Sequence, residues 1–170
     1  MAHNYQGKNI NRKKMKSLKY LFSVCIILTF LSCNQDDDIK VNDIDYLIFG
    51  HFYGQCFGDD CVQTFKLTQT KLFEDSVDDY SGSTFSFSEL PNGKFEEVKG
   101  LIDAIPSQLL NAKEYSFGCP DCADQGGIFI QYSQNGKVKG WRIDQSKESI
   151  PSYLHEFVDK VNESISLINK

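Results

Sequence analysis

The chain has 170 residues, of which 41% are hydrophobic and 13% aromatic, and this is enough for one ordinary core. The first 32 residues hold six of the 18 basic side chains and none of the 23 acidic ones, so the remainder carries 12 basic against 23 acidic residues. This balance argues against nucleic acid or an anionic surface as a partner of the folded part, because both favour clustered lysine and arginine.

The basic N-terminal region has the layout of a targeting signal. In "MKSLKYLFSVCIILTFLSC" a short basic stretch precedes an apolar run from Tyr20 to Leu31, and Ser32 stands just before Cys33. A run of this length makes about 18 Å of helix, which is shorter than the hydrocarbon core of about 30 Å. Residues 1–32 are therefore expected to be an N-terminal extension and a signal peptide, with translation starting at Met15.

The residues around Cys33 carry a family resemblance. "TFLSCNQDDD" resembles the type II signal peptide of bacterial lipoproteins, with Phe30 where the motif usually has leucine. The resemblance implies that Cys33 is lipidated and that its acyl chains hold the protein in the outer membrane, since two or more chains give stable attachment. Asp36, Asp37 and Asp38 resemble the acidic surface-export signal of Bacteroidota lipoproteins, and residues 33–44 form an acidic linker. Exposure at the cell surface and a periplasmic orientation both stay open.

The cell envelope outside the inner membrane favours disulfides between the other cysteines of the mature chain. Outside the inner membrane, thiols that can pair usually do so, and the remaining cysteines are even in number: Cys56, Cys61, Cys119 and Cys122. Local pairing, Cys56 with Cys61 and Cys119 with Cys122, is favoured because each couple lies in a turn-forming segment with Gly58 or Pro120. Crossed pairing stays open.

Two alternatives use the thiols of Cys119 and Cys122. A thioredoxin-like C-x-x-C needs a thiolate of lowered pKa, usually at a helix N-terminus, whereas "ADQGGIFIQYSQNG" predicts glycines and then a strand. A four-thiolate zinc site would combine C-x4-C with C-x2-C, although such sites belong mostly to reducing compartments. Structural disulfides are the preferred interpretation.

The rest of the chain, residues 45–170, predicts one α+β domain. Strands are expected at "DYLIFGHFYG", "CVQTFKL", "KLFEDS" and, more briefly, "KEYSFG", whereas residues 76–94 are polar and predict a connection. A helix starts near Asn92 and ends before Pro106, with Phe95, Val98, Ile102 and Ile105 on one face.

The hairpin at Asn135-Gly136 is the best determined element, because these two residues accept the positive φ values of a type I′ turn. It places Ile130 opposite Trp141 and Ile128 opposite Ile143 on the core face. An amphipathic helix from Ser152 to Ile168 closes the chain. The expected fold is one antiparallel sheet of about five to six strands with two helices packed on one face.

A second resemblance concerns the domain itself. "QCFGDDCVQTFKL", followed by the later hairpin, is similar to an uncharacterised domain family of bacterial lipoproteins with a Cys-Phe-Gly-x-Cys-Pro motif. The similarity would cover roughly residues 46 to 165. This chain has an extra residue between the cysteines and Val62 in place of proline. The resemblance implies the fold alone, because that family has no established activity.

Catalytic patterns are sparse. His51 lies five residues before Cys56, but a strand histidine beside a disulfide is more simply structural, and His155 is expected to be solvated. The pairs Asp59-Asp60 and Asp78-Asp79 lack the spacing of a calcium loop and are interpreted as loop solvation. We therefore expect no catalytic site, metal or cofactor, and a non-enzymatic, lipid-anchored binding or structural domain whose ligand is unknown. The alternative is an envelope thiol-redox or zinc-binding protein that uses Cys119 and Cys122.

Overall fold

A computed structural model of the chain describes residues 44–58 and 61–170. The predicted extension and signal peptide (1–32), the predicted start at Met15 and the lipidation site Cys33 lie outside the described residues. The acidic linker lies outside them too, apart from its last residue, Ile44, as does the Asp59-Asp60 pair.

The described residues form an α+β fold around one seven-stranded sheet. In chain order the strands are β1 (Tyr46–Phe52), β2 (Val62–Thr68), β3 (Leu72–Asp75), β4 (Phe87–Glu89), β5 (Ser116–Phe117), β6 (Gly127–Gln134) and β7 (Lys137–Asp144). Across the sheet their order is β4-β3-β2-β1-β6-β7-β5, so the long strands β1 and β6 lie in the middle. The helices are α1 (Asn92–Val98), α2 (Ser107–Leu110) and α3 (His155–Ile168), with 3₁₀ segments at Lys99–Ala104, Lys147–Ser149 and Ser152–Leu154.

The sheet differs from the expected one in strand number and direction. It is mixed, because β5 pairs in parallel with β7 whereas the other neighbours are antiparallel. The extra strand, β4, lies within residues 76–94, which the sequence predicted as connection. Three residues are too few for an alternating pattern to be recognised, and the pairing of β4 with β3 is what makes it a strand.

The helical part also differs in detail from the prediction. The helix starts at Asn92 as expected, but the chain tightens into a 3₁₀ segment at Lys99–Ala104, which contains Gly100. A helix that was not predicted, α2, begins directly after Pro106, where the sequence predicted only the end of the preceding helix. Proline favours the position just before or inside a helix start as much as the position after a helix end, because its φ is already suitable.

The hairpin and the last helix are confirmed. Gln134 pairs with Lys137, Ile130 with Trp141 and Ile128 with Ile143, and the turn residues Asn135 and Gly136 have φ values of 49° and 74°. The predicted apolar stripe is buried along α3 and the turn directly before it: Leu154, Phe157, Val158, Val161, Ile165 and Ile168. The first turn of that predicted helix is a 3₁₀ segment, Ser152–Leu154.

The main core lies between one face of the sheet and the helices. Phe49, Phe65, Ile130 and Trp141 of the sheet share one buried cluster with the apolar side chains of the three helices. Burial of each such side chain stabilises the folded state by about 2 kcal/mol, so this layer supplies most of the apolar stabilisation.

The opposite face of the sheet is covered in part by the 76–86 loop, the segment between β3 and β4. Gly82 lies directly against the ring of Phe129, which explains why this aromatic residue occupies the otherwise polar face of β6. The Phe85 ring centroid lies 6.1 Å from that of Phe129. Away from the loop, the Lys66 Nζ lies 4.5 Å from the centroid of the Tyr46 ring.

Within the described part of the chain, no helix combines the length and the apolar character needed to cross a membrane.

Candidate functional site

Two disulfide-closed loops lie next to each other at one end of the sheet. Cys56 pairs with Cys61 between β1 and β2, and Cys119 pairs with Cys122 between β5 and β6, with a Cα–Cα distance of 5.5 Å in each couple. The cysteines are therefore at disulfide distance in the local pairing, Cys56 with Cys61 and Cys119 with Cys122. The backbone N–H of Gly54 donates a 2.6 Å hydrogen bond to Oδ2 of Asp121, and this contact joins the two loops.

Asp121 lies between Cys119 and Cys122 and connects three segments. Besides Gly54, its carboxylate accepts hydrogen bonds from the backbone N–H of Gly126 (3.0 Å) and from the hydroxyl group of Tyr80 (2.9 Å). Its backbone has φ 63°, a left-handed conformation that aspartate tolerates better than most residues. We call the end of the sheet formed by residues 53–58, 61, 76–86 and 118–126 the loop end.

Buried Asp144 at the end of β7 supports the Cys119–Cys122 loop from the sheet. Its Oδ2 accepts the backbone N–H of Cys119 (2.9 Å), and its Oδ1 accepts the side-chain amide of Gln125 (3.3 Å) and the N–H of Ser146 (2.8 Å). Gly118, with φ 71°, passes so close that an added Cβ would lie 2.6 Å from the Cβ of Asp144. The loop therefore depends on a glycine at this position.

The 76–86 loop is organised by two aspartates. Buried Asp75 accepts hydrogen bonds from the backbone N–H groups of Asp78 and Ser86, at the two ends of the loop. Asp79 accepts from the hydroxyl and backbone N–H groups of Ser81 and Ser83 and from the N–H of Thr84. These bonds, led by the one from the Ser81 hydroxyl, hold the pKa of Asp79 well below its usual range.

Arg142 of β7 fixes the same loop to the sheet through aromatic contacts. Its guanidinium carbon lies 3.6 Å from the centroid of the Phe52 ring and 4.7 Å from that of Tyr80, and one guanidinium nitrogen donates to the Tyr80 carbonyl (2.9 Å). Burial and the adjacent Asp121 carboxylate raise the pKa of Tyr80, with Arg142 opposing them. The Tyr80 hydroxyl is thus protonated at neutral pH and can donate to Asp121.

The loop end exposes large apolar side chains. Phe57, inside the Cys56–Cys61 loop, has a relative accessibility of 104%, and Val77 and Tyr80 are each 44% exposed. A phenylalanine that contacts water on all sides buries little apolar surface and therefore adds little to the stability of the fold.

The sequence-predicted thiol site does not have the surroundings of a redox centre. Cys122 is followed by a turn that leads to β6 at Gly127, and not by a helix whose N-terminus could lower a thiol pKa. Within the described ranges no three His, Cys, Asp or Glu side chains converge so as to hold a metal ion.

The two candidate histidines have structural surroundings. His51 lies on β1 with its ring centroid 5.2 Å from that of Tyr53, and the sulfur of Cys56 is bonded to Cys61, which leaves no thiolate for a Cys–His dyad. His155 is not simply solvated as expected: it is half-buried, and its Nε2 lies 3.2 Å from the Ile150 carbonyl oxygen.

Sequence reasoning located the four paired cysteines but not the residues that join the loops. Asp121, Tyr80 and Arg142 come from three distant segments, and no local pattern marks them as neighbours. Asp79 was interpreted as loop solvation, whereas its carboxylate organises the 76–86 loop. The signal that could have indicated this was the run of serine and threonine after it, "DYSGST", since such residues donate hydrogen bonds to a nearby aspartate in turns.

Comparison with known proteins adds no assignment: no protein-family model matches the chain, and no curated protein matches it either.

Proposed function

We propose that this chain is a lipid-anchored envelope protein at the outer membrane, and that residues 45–170 are a non-enzymatic binding domain. The observation that carries the proposal is the fully exposed Phe57 on a disulfide-closed loop that adjoins a second disulfide-closed loop. A loop that a disulfide closes has less conformational entropy to lose on binding than an open loop, so a side chain on it is suited to be an anchor in a partner's pocket.

The anchoring part rests on the sequence around Cys33. "TFLSCNQDDD" resembles a lipoprotein processing site, and the acidic linker that follows separates the domain from the bilayer. A membrane-anchored domain requires no apolar helix of its own, because two or more acyl chains supply the attachment.

The thiol-redox or zinc alternative has less support. It needs free thiolates at Cys119 and Cys122, whereas these sulfurs pair with each other in a loop held by Asp121 and Asp144. Titration of the denatured, unreduced protein with a thiol reagent distinguishes the thiol-redox or zinc alternative from the binding domain. Four reactive thiols besides any at Cys33 would favour the alternative. The absence of reactive thiols apart from any at Cys33 would favour the binding domain.

The anchor is tested by replacement of the acylated sulfur. Cys33→Ser is expected to abolish incorporation of labelled palmitate and to shift the protein out of the detergent phase in a cloud-point partition. Cys25→Ser, a matched change inside the apolar run, is expected to leave both unchanged. Normal labelling and partition of the Cys33→Ser variant would contradict the proposal.

A further inference from the structure

The Cys119–Cys122 disulfide closes a tight turn whose third residue is Asp121. The backbone N–H of Cys122 donates to the carbonyl oxygen of Cys119 (3.1 Å), so Pro120 and Asp121 are the two central residues of this turn. Asp121 has a φ of 63°, and a positive φ directly after proline in a turn is more usual for glycine. The cross-link between the flanking cysteines therefore helps to keep an aspartate in a left-handed conformation that few residues adopt.

Asp121 in this conformation joins segments that are distant in the chain. Its Oδ2 accepts the N–H of Gly54 (2.6 Å) and the hydroxyl group of Tyr80 (2.9 Å), which are 67 and 41 residues away. Both bonds require the carboxylate to point in one direction, and the backbone of the turn sets that direction. The disulfide and the bonds to Gly54 and Tyr80 are therefore coupled, so that each stabilises the other.

The disulfide is accessible, whereas the chain that leads into the turn is held by other contacts. Cys119 and Cys122 are both exposed. The N–H of Cys119 donates to buried Asp144 (2.9 Å), and its carbonyl oxygen accepts the side-chain amide of Gln125 (3.0 Å). Neither contact involves the sulfur atoms, so cleavage of the S–S bond frees the turn but leaves its first residue in place.

We propose that the Cys119–Cys122 disulfide is a redox-sensitive latch of the loop end, which a dithiol opens. One thiolate of the dithiol attacks a sulfur of the pair, breaks the S–S bond and forms a mixed disulfide, and its second thiol then displaces the protein sulfur. Two electrons pass from the dithiol to the protein, the dithiol becomes a disulfide, and its two thiol protons end on Cys119 and Cys122.

Opening of the latch relaxes the turn, and Asp121 then loses its bonds to Gly54 and Tyr80 while the sheet stays folded. The oxidised protein therefore has an assembled loop end and the reduced protein an open one. This inference goes beyond the proposed binding function and does not depend on it.

The first test measures the reduction equilibrium of the full chain in detergent, in buffers of reduced and oxidised dithiothreitol. After alkylation, two tryptic peptides report the disulfides separately, because residues 114–137 contain one cysteine pair and residues 41–66 the other. The wild type is compared with Asp121→Asn and Tyr80→Phe. Asp124→Asn is the matched control, since Asp124 is an exposed aspartate close to the same turn. Thermal unfolding verifies that each variant is folded.

Contacts that favour the disulfide should make it harder to reduce, so their removal should make reduction easier. In a fixed buffer we expect the ratio of reduced to oxidised 114–137 peptide to rise at least about fivefold in Asp121→Asn and about threefold in Tyr80→Phe. Asp124→Asn should leave this ratio unchanged. A ratio that neither Asp121→Asn nor Tyr80→Phe alters, or one that Asp124→Asn raises equally, would overturn the latch.

The second test observes the open state by amide NMR of the double variant Cys119→Ser with Cys122→Ser, which cannot close the turn. The amide proton of Gly54 should move to higher field, because it loses a hydrogen bond to a carboxylate, whereas the amide signals of the β1–β6 ladder should keep their positions. Wild-type protein reduced with dithiothreitol should show the same shift of Gly54. An unmoved Gly54 signal would overturn the proposal, and so would changes throughout the sheet, because the disulfide would then support the whole domain and not the loop end.

Discussion

The hydroxyl group of Tyr80 donates a hydrogen bond to Oδ2 of Asp121 over 2.9 Å, although 41 residues separate the two in the chain. The same oxygen accepts the N–H of Gly54, so a single carboxylate connects the 76–86 loop, the Cys119–Cys122 loop and the Cys56–Cys61 loop. The arrangement of the loop end should therefore depend on Asp121 more than on any neighbouring aspartate.

Asp121→Asn is expected to lower the free energy of unfolding by about 2 kcal/mol, because the new amide nitrogen would face donors that now bind a carboxylate. Asp124→Asn is the matched control, since Asp124 has nearly the same backbone conformation (φ 59°) in the same loop and its side chain is exposed. Urea unfolding measures both. In a double-mutant cycle, the combination of Asp121→Asn with Tyr80→Phe should show a coupling free energy of about 1 kcal/mol. Additive changes in the free energy of unfolding would contradict the Tyr80–Asp121 hydrogen bond.

The 76–86 loop should open in acid but not near neutrality. The folded-state pKa of Asp79 lies below its ordinary value of 3.8, so the stabilisation from this carboxylate is fully present above that value and is lost as the pH falls towards the folded-state pKa. Amide exchange at Ser81, Ser83 and Thr84, corrected for its intrinsic pH dependence, should give constant protection from about pH 7 to about pH 5 and reduced protection below about pH 3. In Asp79→Asn the acid-dependent change should disappear. Loss of protection already between pH 7 and 5 would show that another group controls the loop.

The two local disulfides should stabilise the domain only modestly. Each closes a short loop, and the chain-entropy model gives about 2 kcal/mol for loops of this size. The pair of changes Cys119→Ala and Cys122→Ala should therefore leave a folded domain with a lowered melting temperature, and the matched pair at Cys56 and Cys61 should behave alike. Peptide mapping without reduction checks the pairing. A fragment that joins Cys56 to Cys119 or Cys122 would refute it.

Gly118 should not tolerate a side chain. Gly118→Ala combines a φ of 71° with a clash against Asp144, and we expect a loss of at least about 2 kcal/mol. Gly100→Ala is the control, because an added Cβ there meets no atom within 4 Å, and it should be neutral or stabilising by about 0.5 kcal/mol. Thermal unfolding of the two variants provides the comparison. Equal stability of both would mean that the Cys119–Cys122 loop is not held against β7 as described.

Local patterns in the sequence determined the elements whose contacts lie close together along the chain. The Asn135-Gly136 turn fixes the register of β6 and β7 because a two-residue turn permits one pairing, and alternation then places Ile130 and Trp141 on the core face. The apolar stripe of α3 is similarly readable, because it repeats with the helical period.

Tertiary structure alone decided the contacts that span large separations. The parallel pairing of β5 with β7, the strand character of β4 and the meeting of Gly54, Tyr80 and Asp121 depend on where whole segments pack. Periodicity reports which face of an element is buried and carries no information about which distant loop will cover it. An aspartate such as Asp121 or Asp79 has the same appearance in the sequence whether water or three hydrogen-bond donors surround it, since the donors are backbone and hydroxyl groups that any segment can supply.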